Sequence, residues 1–206
     1  MRRWHKHKAG ELPLLQELGV SEQELLKALA AVAFEGYQRG NEGEAADLTK
    51  KNVIAVLAKH LGSFANAEHF LEHVEDRAGL MLERGEMDEG EPVYSFPHRT
   101  FQEFLSGYHL AFSGRDFGRE LRMRLDEGDK WTLAAQLGAE HLLFNAGDLT
   151  KVLDALGKLC PISPPHGEAD WRGILWAGNI AAKIGKEQIE SEDVDNPDGG
   201  SRLIER

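Results

Sequence analysis

One histidine stands where a strand-like segment meets a helix-like segment. His98 follows Pro97 directly in the stretch YSFPHRTFQEFLSGYHL, residues 94–110. Proline fixes φ and lacks an N–H, so it suits the approach to a helix start, and we expect the next helix to begin beside the imidazole. A helix N-terminus carries unpaired N–H groups and partial positive charge, so a histidine there can donate to a phosphate oxygen. The alternative is that His98 only caps the helix or packs at a turn.

Two other groups of residues carry side chains capable of chemistry, but neither pattern fits a known site. His69 and His73 are four residues apart with Glu72 between them, but HFLEH is not the HExxH order of zinc proteases. We expect a solvated helix face there. Cys160 lies before a proline in a loop and has no arranged catalytic partner in the sequence, which also lacks GxSxG. We therefore predict no metal site and no catalytic residue.

The sequence contains no phosphate-binding loop of the GxxxxGK[ST] type. The nearest segment, GNIAAKIGKE at 178–187, has its glycines too far apart, lacks the serine or threonine, and lies in a helical pattern instead of after a strand. We therefore predict that this chain is not an enzyme on its own and does not hydrolyse nucleotide.

Capping residues and helical spacing predict three helices before residue 80. Ser21 and Glu24 form a capping box ahead of the first helix, Thr49 starts a second that Gly62 ends, and Asn66 starts a third. The second and third helices resemble a helix-turn-helix. Residues 80–83 and 93–96 then predict two short strands joined by a long hairpin loop. Three helices followed by a β-hairpin is the order of a winged helix.

Winged helices often bind DNA, but the charge of the third helix and the hairpin argues against it. Between residues 66 and 91, nine acidic residues stand against two basic ones, Arg77 and Arg84, which leaves −7. DNA recognition needs lysine and arginine on these elements to neutralise phosphates and reach base edges. We expect a protein-interaction or regulatory module, and nucleic acid is an unfavoured partner.

The segment after His98 predicts one amphipathic helix. Thr100 and Glu103 resemble a capping box, and Gln102 is expected at the surface or at an interdomain contact. An aromatic stripe is predicted to face the core; it comprises Phe101, Phe104, Leu105, Tyr108 and Phe112.

The rest of the chain predicts further helices, starting near Phe117, Lys130, Asp148 and Ala169, with a proline-rich loop at 160–167. Trp131 recurs as Trp171 and Gly138 as Gly178, each at an offset of 40 residues. This period is typical of HEAT-like paired-helix repeats.

Composition bounds the class of protein. The chain has 206 residues, a formal charge of −11, 41% hydrophobic residues and one cysteine, and no run of eighteen apolar residues. We predict a mainly α protein with a cytoplasmic location and no membrane partner. Its expected domains are a linker end plus winged helix at 1–113, a helical repeat-like domain at 114–190, and a mobile or truncated tail at 191–206.

The residues around His98 resemble a family motif, in which a strand ends in Phe-x-His and Phe-Gln-Glu-Phe follows two residues later. The motif comprises Tyr94, Phe96, His98, Phe101, Gln102, Glu103, Phe104 and Leu105, preceded by RAGLM at 77–81. It resembles the winged-helix motif of NACHT-type NTPases, the STAND class of signalling switches. Arg3-Trp4 with Leu14-Leu15 similarly resembles the end of the linker that joins the nucleotide domain to the winged helix.

The resemblance implies a role for His98 in a longer protein. In that family a separate P-loop domain holds ADP at rest, and the winged-helix histidine, here His98, closes over the β-phosphate. Exchange of ADP for ATP, with Mg expected in the complete protein, releases the winged helix and allows homo-oligomerisation. The helical arm then contacts a sensor region or partner protein, and bacterial members are associated with defence against phage. No cofactor is expected in this chain alone.

Three functions follow from these patterns. The leading hypothesis is a regulatory fragment of a NACHT-like signalling NTPase, in which the winged helix contacts ADP held by the intramolecular nucleotide domain. The alternative is a free-standing adaptor that binds another protein and no nucleotide. A winged-helix transcription regulator is the third.

Overall fold

The computed structural model describes residues 14–40, 47–75, 79–86 and 90–185. These residues are mainly helical, with one small three-stranded antiparallel sheet, which confirms the predicted class. The chain divides by its internal contacts into two units, Met1–Ser106 and Gly107–Arg206. The division falls within a helix. Arg3, Trp4, Arg77 and the predicted tail at 191–206 lie outside the described residues.

The first unit begins with helices whose ends follow local capping chemistry. The Ser21 capping box is present, since Ser21 Oγ accepts from Glu24 N at 3.2 Å and Ser21 N donates to the Glu24 carboxylate at 2.8 Å. Thr49 caps the third helix and Gly62 ends it with φ of 78°, as predicted. The four helices are α1 (Leu14–Leu18), α2 (Glu22–Arg39), α3 (Lys50–Leu61) and α4 (Phe64–His73).

The predicted start of α4 is wrong by three residues. Ser63 is the N-cap, and its Oγ accepts from Asn66 N at 3.1 Å. The Asn66 side chain instead donates to Leu61 O at 2.9 Å and to Leu18 O at 3.3 Å. Asparagine therefore serves the carbonyls that end α1 and α3, and the cap passes to the serine next to Gly62.

The predicted hairpin is present, but its first strand covers residues 82–86 instead of 80–83, and a further strand occurs that the sequence pattern did not indicate. The strands are β1 (Leu48–Thr49), β2 (Leu82–Glu86) and β3 (Pro92–Ser95), in the order β1-β3-β2 and antiparallel throughout. Tyr94 pairs with Leu48 on one side and Glu83 on the other. β1 was missed because two residues are too few for an alternating pattern.

Helix α5 (Arg99–Phe112) contains the junction between the two units. Because it begins at Arg99, Thr100 lies inside the first turn, and the predicted Thr100–Glu103 capping box is wrong. Leu105 and Tyr108 are buried, as predicted for the aromatic stripe. The three phenylalanines of the stripe are only half-buried.

The second unit continues as short helices. Asp116 and Asp148 cap the helices that follow them, whereas Lys130 lies in a 3₁₀ turn just ahead of its helix. After α5 come α6 (Phe117–Arg122), a 3₁₀ helix (Leu125–Trp131), α7 (Thr132–Glu140), a π-helical turn (His141–Ala146), α8 (Leu149–Leu159) and α9 (Glu168–Ile184). None of the helices within the described ranges is both long and apolar enough to cross a membrane.

The residues that recur after 40 positions lie in different environments. Trp131 is fully buried, whereas Trp171 is 58% exposed. Gly138 packs against the Phe117 ring and the Gly107 carbonyl, whereas a Cβ on Gly178 would meet nothing within 4 Å. The tryptophans and glycines that recur at this spacing therefore do not occupy equivalent positions in the packing.

Candidate functional site

His98 lies between β3 and α5, at the helix start where the sequence predicted it. Its carbonyl accepts from the N–H groups of Phe101 at 3.1 Å and Gln102 at 3.2 Å, which makes His98 the residue that precedes the first helical turn. Its side chain is exposed. The imidazole is thus accessible beside the N-terminus of a 14-residue helix.

A buried carboxylate holds the neighbouring arginine. Glu103 is 7% exposed, and its Oε1 accepts from Arg99 Nε at 2.9 Å and from Tyr37 Oη, on α2, at 3.2 Å. The hydrogen bond to Glu103 raises the pKa of Arg99, so the guanidinium is charged. Burial, reinforced by the charge of Glu103, raises the pKa of Tyr37 to about 12. Arg99 is therefore fixed on the first turn of α5, directly after His98.

This cluster was only partly visible in the sequence. Arg99 and Glu103 are four residues apart, a spacing at which opposite charges pair on a helix. The same glutamate also fits the pattern of a cap with Thr100, and the sequence alone does not separate the two roles. Tyr37 lies 66 residues from Glu103, and only the packing of α2 against α5 brings them together.

Gln102 contradicts the prediction that it lies at the surface or at an interdomain contact. It is 1% exposed within the first unit, and its Nε2 donates to Ala33 O on α2 at 3.2 Å. Among the residues that the structure describes, none hydrogen-bonds to its Oε1. Gln102 is thus a buried link between α5 and α2, because the face of α5 that carries it packs inward.

The histidine pair on α4 comprises His69 and His73. His69 Nε2 lies 3.3 Å from Glu17 Oε2 on α1, and both side chains are partly exposed. Within the described ranges, no group of three or more histidine, cysteine, aspartate or glutamate side chains is arranged to hold an ion. Cys160 is half-buried at the C-terminal cap of α8.

Acidic residues of the hairpin region serve the fold of the first unit. Glu91 Oε1 accepts from Lys51 N at 3.3 Å, at the start of α3. Glu75 accepts from Tyr94 Oη at 3.2 Å, and burial together with this carboxylate raises the pKa of Tyr94 to about 12. These carboxylates therefore have structural partners, while β2 is exposed along its whole length.

Comparison of the chain with protein-family models, with curated proteins and with solved structures finds no match in any of the three. The residues of the motif and the geometry around them are therefore the only indications of function.

Proposed function

We propose that this chain is the regulatory part of a NACHT-like signalling NTPase, in which a winged helix closes over ADP held by a separate nucleotide-binding domain. His98 contacts the phosphate, and the helical second unit relays the change to a sensor region or partner protein. The observation that carries the proposal is the exposed imidazole of His98 at the start of α5.

The topology of the first unit supports a winged helix. Its elements follow the order α2-β1-α3-α4-β2-β3, and β1 pairs with β3, not with β2. The strand that the sequence did not predict, β1, pairs with β3 of the hairpin and leads directly into α3. This connection supports a wing. α3 and α4 are joined by Gly62 and Ser63 alone, a link that contains the glycine common in helix-turn-helix turns but is shorter than their usual three or four residues.

The electrostatics at the start of α5 support an anionic ligand. The N–H groups of the first turn carry partial positive charge, and the Arg99 guanidinium lies beside them, with its charge offset by Glu103. The Arg99 side chain remains 37% exposed while Glu103 orients it. A nucleotide phosphate that approaches His98 thus meets two donors on adjacent residues. The acidic α4 and hairpin, by contrast, would repel a DNA backbone.

The contact is tested by His98→Ala in the complete protein. A charge-assisted hydrogen bond contributes about 1.5–3 kcal/mol, so its loss weakens ADP retention by about one to two decades. The bound nucleotide is extracted and quantified by chromatography, and the oligomeric state is followed by light scattering. We expect less ADP and more spontaneous oligomer.

His69→Ala is the matched control, because His69 is also an exposed histidine of the first unit but lies on α4. We expect wild-type ADP occupancy in this variant. Equal ADP occupancy in His98→Ala and in wild type would contradict the proposed contact between His98 and the phosphate.

A free-standing adaptor is the second candidate, and exposed apolar side chains in the second unit favour it. Trp171 and Leu175 are 58% and 64% exposed on α9. The size of the protein in its source cells separates the two candidates. An immunoblot band well above 22.9 kDa supports the NTPase fragment, and a band at 22.9 kDa supports the adaptor.

A further inference from the structure

Helix α9 presents an uncharged stripe away from its packed face. Trp171 and Leu175 are exposed one turn apart, and Gly178 and Ala182 continue the same line, both also exposed. At about 100° per residue these four positions fall within about 60° of one another around the helix. The sequence has no charged residue between Arg172 and Lys183.

The orientation of α9 is fixed by contacts on its other faces. Gly173 lies against the Leu159 carbonyl at the end of α8, where a Cβ would not fit. Trp176 Nε1 donates to Thr132 Oγ1 at 2.9 Å, and Arg172 Nε donates to Asp129 Oδ1 at 3.0 Å. These contacts lie on the packed face of α9, roughly opposite the stripe, so they hold the stripe away from the rest of the second unit.

Two copies of the stripe are complementary in shape when they run antiparallel. Its N-terminal half carries two large side chains, and its C-terminal half carries two small residues. Trp171 and Ala182 are equally far from the midpoint between Trp176 and Ala177, and so are Leu175 and Gly178. An antiparallel copy therefore sets each large residue opposite a small one. A Cβ on Gly178 meets nothing within 4 Å, so the space for a partner's leucine is open.

The flanking charges fit the same arrangement. Glu168 and Lys183 lie on the same side of the stripe at opposite ends of α9, and both are exposed. Lys183 Nζ also lies 3.6 Å from Glu140 Oε1 of its own chain, and its side chain remains 52% exposed. A two-fold axis across an antiparallel pair brings equal sides of the two helices together. Glu168 of each copy then lies near Lys183 of the other, so each end of the pair brings one acidic and one basic side chain together.

We propose that α9 is a self-association surface, on which two copies of this chain pair antiparallel about a two-fold axis near Trp176 and Ala177. The interface is isologous, with Leu175 over Gly178 at its centre and Trp171 over Ala182 at each end. The proposal stands on the second unit alone and does not require His98 to contact nucleotide.

The decisive experiment measures the dissociation constant of the full chain by sedimentation equilibrium, over micromolar to submillimolar concentrations. We expect a monomer–dimer equilibrium, weakened at least about tenfold by Gly178→Glu, because a central contact is replaced by a buried charge. The monomer should tolerate this change, since Gly178 is exposed and glutamate favours helix more than glycine does. Thermal unfolding at low concentration checks that it does.

Leu175→Glu should weaken the dimer to a similar extent, with Ile162→Glu as its matched control. Ile162 is 95% exposed in the loop before α9 and lies outside the stripe. We expect Ile162→Glu to leave the dissociation constant within about twofold of wild type, as for a residue outside the interface.

Charge reversal tests the antiparallel register. Glu168→Lys alone places two lysines together at each end and should weaken the dimer. The double variant Glu168→Lys with Lys183→Glu exchanges the two charges and should restore the attraction between them. A chain that remains monomeric would overturn the proposal and leave the stripe to a different protein. A dimer unaffected by Gly178→Glu and Leu175→Glu, or weakened equally by Ile162→Glu, would also overturn it.

Discussion

In the first unit, α2 and α5 are joined by hydrogen bonds between buried polar groups, whereas in the second unit a glycine allows α9 to approach α8. Glu103 and Gln102 of α5 bond to Tyr37 and to the Ala33 carbonyl of α2. Gly173 of α9 instead lies directly against the Leu159 carbonyl. The α2–α5 contact depends on hydrogen bonds and on the protonation of their donors, whereas the contact of Gly173 with Leu159 depends on the absence of a side chain.

This difference determines how each contact responds to change. A polar contact weakens in steps, because each hydrogen bond contributes only about 0.5–1.5 kcal/mol net and responds to pH when a partner titrates. A close-packed contact has no intermediate state, since an added methyl group must displace backbone. We therefore expect the α2–α5 contact beside His98 to respond to pH, and the α8–α9 contact to respond to the size of the side chain at position 173.

The largest effect is expected from the core of the second unit. Trp131 is fully buried, its Nε1 donates to Glu127 at 2.6 Å, and the Arg124 guanidinium lies 4.8 Å from its ring centroid. Trp131→Ala should lower the free energy of unfolding by about 3–5 kcal/mol. Urea unfolding followed by circular dichroism measures it. Trp171→Ala is the control, with an expected change within about 0.5 kcal/mol because Trp171 is exposed. Equal losses in free energy of unfolding for the two variants would indicate equivalent roles for Trp131 and Trp171, as a 40-residue repeat predicts.

A smaller loss is expected where shape alone joins α9 to α8. Gly173→Ala forces the new Cβ against the Leu159 carbonyl and should cost about 1–3 kcal/mol. Gly157→Ala, on α8, meets open space and should instead stabilise the chain by up to about 1 kcal/mol. Melting temperatures of both variants decide the point, and a neutral Gly173→Ala would show that the contact is not rigid.

The smallest effect should come from the polar contact, and it should depend on pH. The folded state raises the pKa of Tyr37 from its ordinary value of 10.0 to about 12, so it favours the protonated hydroxyl. The resulting stability is fully present below about pH 10 and is lost as pH rises through about 12. Tyr37→Phe should cost about 0.5–1.5 kcal/mol at neutral pH and less as this window is crossed.

Unfolding at several pH values tests the difference between wild type and Tyr37→Phe, which cancels the contribution of Tyr94. A penalty that stays constant from neutral pH to pH 12 would contradict the hydrogen bond to Glu103. Such a result would also remove the contrast between a pH-dependent α2–α5 contact and an α8–α9 contact that depends on side-chain size.

Features that depend on neighbouring residues were predictable from the sequence. The capping box at Ser21, the end of α3 at Gly62 and the helix start after His98 all follow from short-range chemistry. The errors at Asn66 and Glu103 have one cause. Each residue is a good local cap, but each makes a hydrogen bond with a distant element, Leu18 O for Asn66 and Tyr37 for Glu103.

The sequence by itself determined the mainly helical class, the hairpin and the place of His98 at the start of a helix, because each depends on spacing and caps within a few residues. Only the tertiary structure decided that β1 pairs with β3, that Gln102 is buried, and that Trp131 and Trp171 have different surroundings. Packing sets these features, because the face of an element that is buried depends on partners far along the chain.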